Sequence, residues 1–224
     1  DGVCAGAIAV KTLDRLGKEF DITFVKQIDE SGVEKILNQN PDVVWLVDLS
    51  LSIEIEFDNI IVTDHHNTIS KAGAFTRYLL NPNNFGIDGC TALSGAGATY
   101  LVSKSVDKQN IDLSHLAVVG ACGDLQDREE RKLVGMNREI LKDAQSTGSI
   151  EIIKDIQYFG RESKPLLRLL LYADDPVIPG ISGSEEACIS FLRNLGFDRK
   201  RIYKKWVDLT KEERRRILSE IARK

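Results

Sequence analysis

The sequence predicts an α/β protein: an open, mostly parallel sheet with helices on both faces, followed by a helical extension. Two patterns carry this expectation. Apolar runs of strand length, Val43-Val44-Trp45-Leu46-Val47, Ile60-Ile61-Val62 and Leu116-Ala117-Val118-Val119, alternate with helix-length segments over the first half. A strand apolar on both sides is one covered by helices on both sides. After residue 128 the strand signals fade and only helical patterns remain.

Taken in order, Val3 to Leu16 reads as a helix, with Val3, Ala7 and Val10 near one face. Ile22-Thr23-Phe24-Val25 is a short β-rich run, and a second helix covers Gly32 to Leu37 before Asn40-Pro41 breaks it. Thr91 to Val102 is small and apolar, which suits a helix packed closely on a sheet. Arg128 to Ala144, Lys164 to Ala173, Glu185 to Leu195 and Thr210 to Ala222 read as helices, the last opened by a Thr210/Glu213 capping box. Pro176, Pro179, Gly180 and Gly183 make a loop between two of them. This gives a core over 1–127 and a helical continuation over 128–224.

Composition narrows the class. With 42% hydrophobic and 29% charged residues the chain is a folded globular protein and not a disordered one. Its longest apolar runs, such as Leu169-Leu170-Leu171, are far too short to span a membrane, so no membrane is expected. No cationic and then apolar leader opens it, and Cys4, Cys90, Cys122 and Cys188 lie far apart, as reduced thiols of a cytoplasmic protein do. Asp1-Gly2-Val3 begins without Met and already reads as a turn into a helix, so the natural N-terminus is expected to lie upstream. The charge is uneven: residues 1–124 hold 9 Lys+Arg against 17 Asp+Glu, whereas 193–224 hold 12 against 5. An acidic half suits metal binding, and a basic end can meet a polyanion.

Three acidic sites occupy equivalent places. Asp48 follows the run 43–47, Asp64-His65-His66 follows Ile60–Thr63, and Asp124 follows Leu116–Val119 after Gly120-Ala121-Cys122-Gly123. The carboxyl ends of strands in an open α/β sheet form one rim where ligands bind, so Asp48, His65 and Asp124 are expected in one crevice. Asp1-Gly2, ahead of a helix, is expected to join the same rim if a strand precedes it. Several carboxylates close together repel unless a cation compensates them, and a mixed Asp/His set suits Mn²⁺ or Mg²⁺ better than Zn²⁺. His115, ahead of the third run, reads instead as a buried, hydrogen-bonded histidine.

Asp1-Gly2, Val47-Asp48, Thr63-Asp64-His65-His66 and Gly120-Ala121-Cys122-Gly123-Asp124 resemble, in order and spacing, the four motifs of the DHH phosphoesterase superfamily. Pro179-Gly180-Ile181-Ser182-Gly183-Ser184-Glu185-Glu186-Ala187 is similar to a segment of its archaeal RecJ-like nucleases. The resemblance implies that Asp48 bridges two metal ions, that Asp1, His65 and Asp124 hold one of them, that His66 meets the scissile phosphate, and that Asp64 orients the histidine pair. It implies two-metal hydrolysis of phosphodiesters, by an exonuclease acting on single-stranded DNA or RNA in replication and repair. The alternatives in the same superfamily are a small-molecule phosphoesterase, acting on pyrophosphate, oligonucleotides or cyclic dinucleotides, and a non-catalytic replication scaffold. Single-stranded nucleic acid is the implied partner, with Arg199, Lys200 and Arg201 as candidate phosphate contacts, and a GINS-type replication complex is a second. The family's first motif ends in Asp-x-Asp-Gly, of which only Asp-Gly stands here. Its strand, the residues for the other metal and the C-terminal substrate-binding domain are absent from these 224 residues, so this piece by itself is expected to be inactive.

Overall fold

A computed structural model describes residues 1–49, 57–67, 77–153 and 155–224. They form two compact units, Asp1–Glu151 and Ile152–Lys224. Among the described residues no helix is long and apolar enough to cross a membrane, and the four cysteines are free.

The first unit is α/β. Helix α1 (Gly2–Arg15) and helix α2 (Glu30–Leu37) precede strands β1 (Val44–Val47), β2 (Ile60–Thr63) and β3 (Tyr78–Leu80). The strands are parallel in the order β1-β2-β3, with Val44 opposite Ile60 and Ile61 opposite Tyr78. Strand alternation splits the side chains between two faces. Leu46, Ile60 and Val62 pack with Ile28, Val33, Ile36 and Leu37 around α2, whose N-cap Asp29 accepts a hydrogen bond from the Gly32 amide. On the opposite face, Trp45 Nε1 donates to Thr63 Oγ1, which meets Thr99 Oγ1 of helix α3 (Gly95–Val106) at 2.8 Å.

A second layer of small residues brings helices together. Ala5, Ile8, Ala96, Ala98, Ala117 and Ala121 are buried where α1, α3 and helix α4 (Ser114–Gly123) meet, joined by Ile140 and Leu141 of helix α5 (Gly135–Ser146). Thr12 Oγ1 and Ser103 Oγ, buried at 2.6 Å, add a polar tie between α1 and α3.

Four expectations are corrected. Leu116–Val119 is not a strand but the middle of α4. Ala117, Gly120 and Ala121 are small enough to sit against α1 and α3, and that packing overrides the strand preference of Val118 and Val119. His115 therefore lies in a helix; it meets the Asp112 carbonyl at 2.6 Å and is only half-buried. The helix expected from Arg128 begins at Gly135, because Arg131 is left-handed at φ 54° and ends any helical run there. Ile22–Val25 pairs with no strand among the described residues; Ile22 and Phe24 lie over Gly6 of α1 instead.

The second unit is helical: α6 (Leu166–Leu171), α7 (Glu185–Asn194) and α8 (Lys211–Ile221). All five leucines of α6 are buried. Burying each contributes about 1.5–3 kcal/mol, which stabilises a six-residue helix that would not form alone. Trp206, fully buried, donates from Nε1 to Asp155 Oδ1 at 2.8 Å. The capping box of Thr210 and Glu213 opens α8 as the sequence predicts.

Candidate metal centre

Four elements of the first unit deliver carboxylates and imidazoles to one place. Asp48 ends β1 in the left-handed conformation (φ 52°), its amide donating to the Thr63 carbonyl. That conformation is uncommon outside glycine, is tolerated best by Asp and Asn, and clusters at functional sites. Asp1 sits at the N-terminus of α1, but its carboxylate does not cap that helix. It accepts instead from the first two amides of α3, Gly95 N at 2.7 Å and Ala96 N at 3.1 Å, so it lies between the positive ends of two helices. Asp124 stands at the other pole, as the C-cap of α4. A carboxylate there meets the negative end of the helix dipole and gains from a nearby cation.

His65 is the meeting point. Its Nδ1 lies 2.6 Å from the Gly89 carbonyl oxygen. A carbonyl only accepts, so the proton resides on Nδ1 and Nε2 is left facing the acids. Nε2 is 3.3 Å from Asp48 Oδ1, 3.4 Å from Asp124 Oδ2 and 3.6 Å from Asp1 Oδ2. The side chains of Asp1 and Asp48 are only 3% and 10% exposed. Asp48 Oδ1 is buried with no hydrogen bond among the described residues. Acceptors converging on an acceptor require a cation, which is either a proton or a metal. In the metal-free chain burial opposes a charge on His65, yet the Asp48 carboxylate, the Gly89 carbonyl and Asp124 raise its pKa above the ordinary histidine value.

The ligand atoms fall into two overlapping sets, Asp1/His65/Asp124 and Asp48/His65/His66, each spanning no more than 4.8 Å. The donors fit a divalent cation: an oxygen-rich set with one or two imidazoles, and a buried carboxylate oxygen awaiting a partner. Asp64 does not join them. It is buried and meets His66 Nδ1 at 2.7 Å, while the His66 ring, half-exposed, lies 4.5 Å from that of His65.

The structure thus brings together Asp1, Asp48, His65, His66 and Asp124. Asp124 reaches the crevice from a helix end and not from the strand end expected of it. Sequence reasoning passed over several supports. Asn83 Nδ2 donates to the His65 carbonyl and Asn81 Nδ2 to that of His66, which fixes the backbone beneath both rings. Gly95 leaves room for Asp48: a Cβ there would sit 2.2 Å from Asp48 Oδ1. Asn81-Pro82-Asn83 follows β3, and that position was the one available signal.

In the second unit Arg199 and Lys200 are exposed, whereas Arg201 pairs with Glu213 at 3.4 Å. Arg214 and Arg216 are tied to the backbone, donating to the carbonyls of Leu209 and Leu195.

Residues 158–224 match the model of the DHH-CID domain. The match supports membership of the DHH superfamily. An uncharacterized protein of Methanocaldococcus jannaschii is 31% identical over 230 residues, an alignment covering 99% of this chain and 50% of that protein. The chain thus spans about half the length of this relative. The DHH-CID match covers most of the second unit, whereas the Asp/His cluster lies in the first. The superfamily consists of phosphoesterases that generally depend on divalent metals, and the cluster is chemically suited to one.

Proposed function

We propose that the first unit carries the metal centre of a phosphodiesterase that shortens single-stranded DNA or RNA from an end. The observation that carries this reading is the buried Asp48 Oδ1, without a hydrogen bond among the described residues, facing His65 Nε2 among further carboxylates. Asp1, Asp48, His65 and Asp124 would hold the ions, Mn²⁺ or Mg²⁺, with Asp48 shared between two. Such cations, when bound, supply an activated water and offset charge developing on the phosphoryl group. Asp64 accepts from Nδ1–H of His66 and fixes the ring; the opposite nitrogen donates to a phosphoryl oxygen only when it too carries a proton.

A nucleic-acid substrate is supported by the balance of the second unit, 16 Lys+Arg against 11 Asp+Glu over 152–224, and by its exposed Arg199 and Lys200. Within this reading the protein is cytoplasmic, acts in replication and repair, and has a GINS-type complex as a partner. The test is turnover of end-labelled single-stranded DNA and RNA beside pyrophosphate, with Mn²⁺, by the intact protein. A ladder shortening from one end is expected. Hydrolysis of pyrophosphate alone would favour the small-molecule reading, and Mn²⁺ binding without any hydrolysis would favour the scaffold.

A further inference from the structure

Behind the metal centre two side-chain amides are buried outside the ligand set. Gln126 is 4% exposed and Asn137, on α5, is 1% exposed. Gln126 Nε2 donates to the Gly89 carbonyl at 2.9 Å, the same oxygen that His65 Nδ1 meets. Gln126 Oε1 accepts from Asn137 Nδ2 at 2.6 Å. Asn137 Oδ1 in turn accepts from the amide of Ser94, the N-cap of α3, and Nδ2 also reaches the Thr91 carbonyl at 3.4 Å. The next two amides along α3, those of Gly95 and Ala96, are the ones that grip Asp1.

We propose that Gln126 and Asn137 are positioning residues that jointly set the His65 ring and the Asp1 cradle for metal binding. The inference rests on reading His65 and Asp1 as ligands. Three features argue for this role over simple core filling. The orientation of both amides is dictated by their partners: turning either one would set carbonyl against carbonyl and N–H against N–H. The pair reaches two ligands that are 64 positions apart in the chain, His65 through the Gly89 carbonyl and Asp1 through the start of α3. Gln126 also follows Asp124 by two residues, and its own amide is fixed on the Ala121 carbonyl of α4. Apolar side chains would fill the same volume without leaving buried polar groups to satisfy, but they would give the Gly89 carbonyl no second donor and so no fixed direction. That carbonyl keeps the proton on Nδ1 and Nε2 available, and outer hydrogen bonds of this kind govern ligand orientation and metal affinity.

The test compares the wild-type chain with Gln126→Met and Asn137→Asp. The first removes both side-chain bonds of Gln126 at nearly constant shape. The second removes the donations from Asn137 Nδ2 and adds a buried negative charge, so Gln126→Met is the charge-neutral comparison. Calorimetric Mn²⁺ titration is expected to show affinity about 10–100-fold weaker in each. In alkaline solution, where the ring is neutral, nitrogen NMR of His65 is expected to change from a single Nδ1–H form to a mixture in Gln126→Met, which a purely structural residue would not produce. Melting with chelator identifies the folded variants. If Gln126→Met does not fold, Gln126→Leu carries the same expectation, since it also removes the donor to Gly89 and adds no charge. Folded variants with Mn²⁺ affinity within about threefold of wild type and an unchanged His65 ring would overturn the proposal alone. A wild-type chain that binds no Mn²⁺ would overturn the metal centre and this proposal with it.

Discussion

Asp48 Oδ1 and His65 Nε2 face each other at 3.3 Å, and the oxygen is buried with no hydrogen bond among the described residues. A charged acceptor removed from water in this way costs stability unless a cation satisfies it. The pairing therefore separates what the site costs in folding from what it contributes to function, and it leads to the first prediction.

In the intact protein, Asp48→Asn should abolish metal-dependent hydrolysis while leaving the fold intact. Asn is the residue best able to keep the left-handed backbone of Asp48, so the substitution changes charge and not conformation. A rate loss of at least ~100-fold is expected, about 2.7 kcal/mol of transition-state stabilisation. With chelator at pH 8 the melting temperature should hold or rise, because one of several crowded carboxylates is gone. Activity within tenfold of wild type would remove Asp48 from the ligand set.

The two histidines should behave differently. His65 lies within 3.6 Å of three carboxylate oxygens, whereas His66 is half-exposed and bonded to Asp64. His65→Ala is expected to abolish tight Mn²⁺ binding, and Asp124→Ala to weaken it strongly. His66→Ala is expected to keep most of the affinity and lose turnover. One ring nitrogen of His66 also stands within ligand distance of Asp48 and His65, so the titration decides between phosphate contact and ligation. Equal loss of Mn²⁺ affinity in both histidine variants would make His66 a ligand.

Metal binding should be proton-coupled with a defined sign. The pKa of His65 is raised in the metal-free chain: burial opposes this, but Asp48, Gly89 and Asp124 outweigh it. A raised folded pKa stabilises the metal-free protein below the unfolded value near 6.5, and that stabilisation is lost as pH rises through the folded pKa. The same proton competes with the metal for Nε2. Mn²⁺ affinity should therefore fall up to tenfold per pH unit below the raised pKa and level off above it. Calorimetry in buffers of different ionisation enthalpy should show proton release on binding in the acidic range. Affinity independent of pH between 6 and 9 would exclude His65 as a ligand.

What was legible in the sequence followed from position along the chain. Asp48 and Asp64-His65-His66 could be placed because continuous apolar strands run into them, and the carboxyl ends of parallel strands converge. Asp124 meets His65 by a different route, from the end of a helix. Leu116–Val119 has the composition of a buried strand, and periodicity cannot distinguish that from a helix buried among others; the flanking Gly120, Ala121 and Gly123 were the better signal. Gln126 and Asn137 were not legible at all, because an amide announces no chemistry until its partners are known. Ile22–Val25 looked like a strand by composition, but pairing depends on a neighbouring edge that a local pattern cannot supply.

The two glycines of Gly120-Ala121-Cys122-Gly123-Asp124 should prove unequal. Gly120 lies where α4 presses on α1 and α3: a Cβ there would sit 2.5 Å from Asp1 Oδ1 and 2.6 Å from the Ala96 Cβ. Gly123, one turn on, would place its Cβ 3.7 Å from the Asp1 backbone nitrogen, an ordinary contact. In a helix Gly→Ala is ordinarily favourable by up to ~1 kcal/mol, so Gly123→Ala should be neutral or slightly stabilising. At Gly120 the same methyl group forces apart the Asp1 carboxylate and the N-terminal turn of α3 that holds it. Overpacking of this kind costs about 1–3 kcal/mol and should exceed the helix-propensity gain. Asp1 would be moved off the Gly95 and Ala96 amides, so Mn²⁺ affinity should fall together with stability. Hydrogen exchange of the α4 amides with chelator present reads the stability change, and Mn²⁺ titration reads the site. If Gly123→Ala destabilises α4 as much as Gly120→Ala does, close approach to Asp1 is not the reason Gly120 is needed.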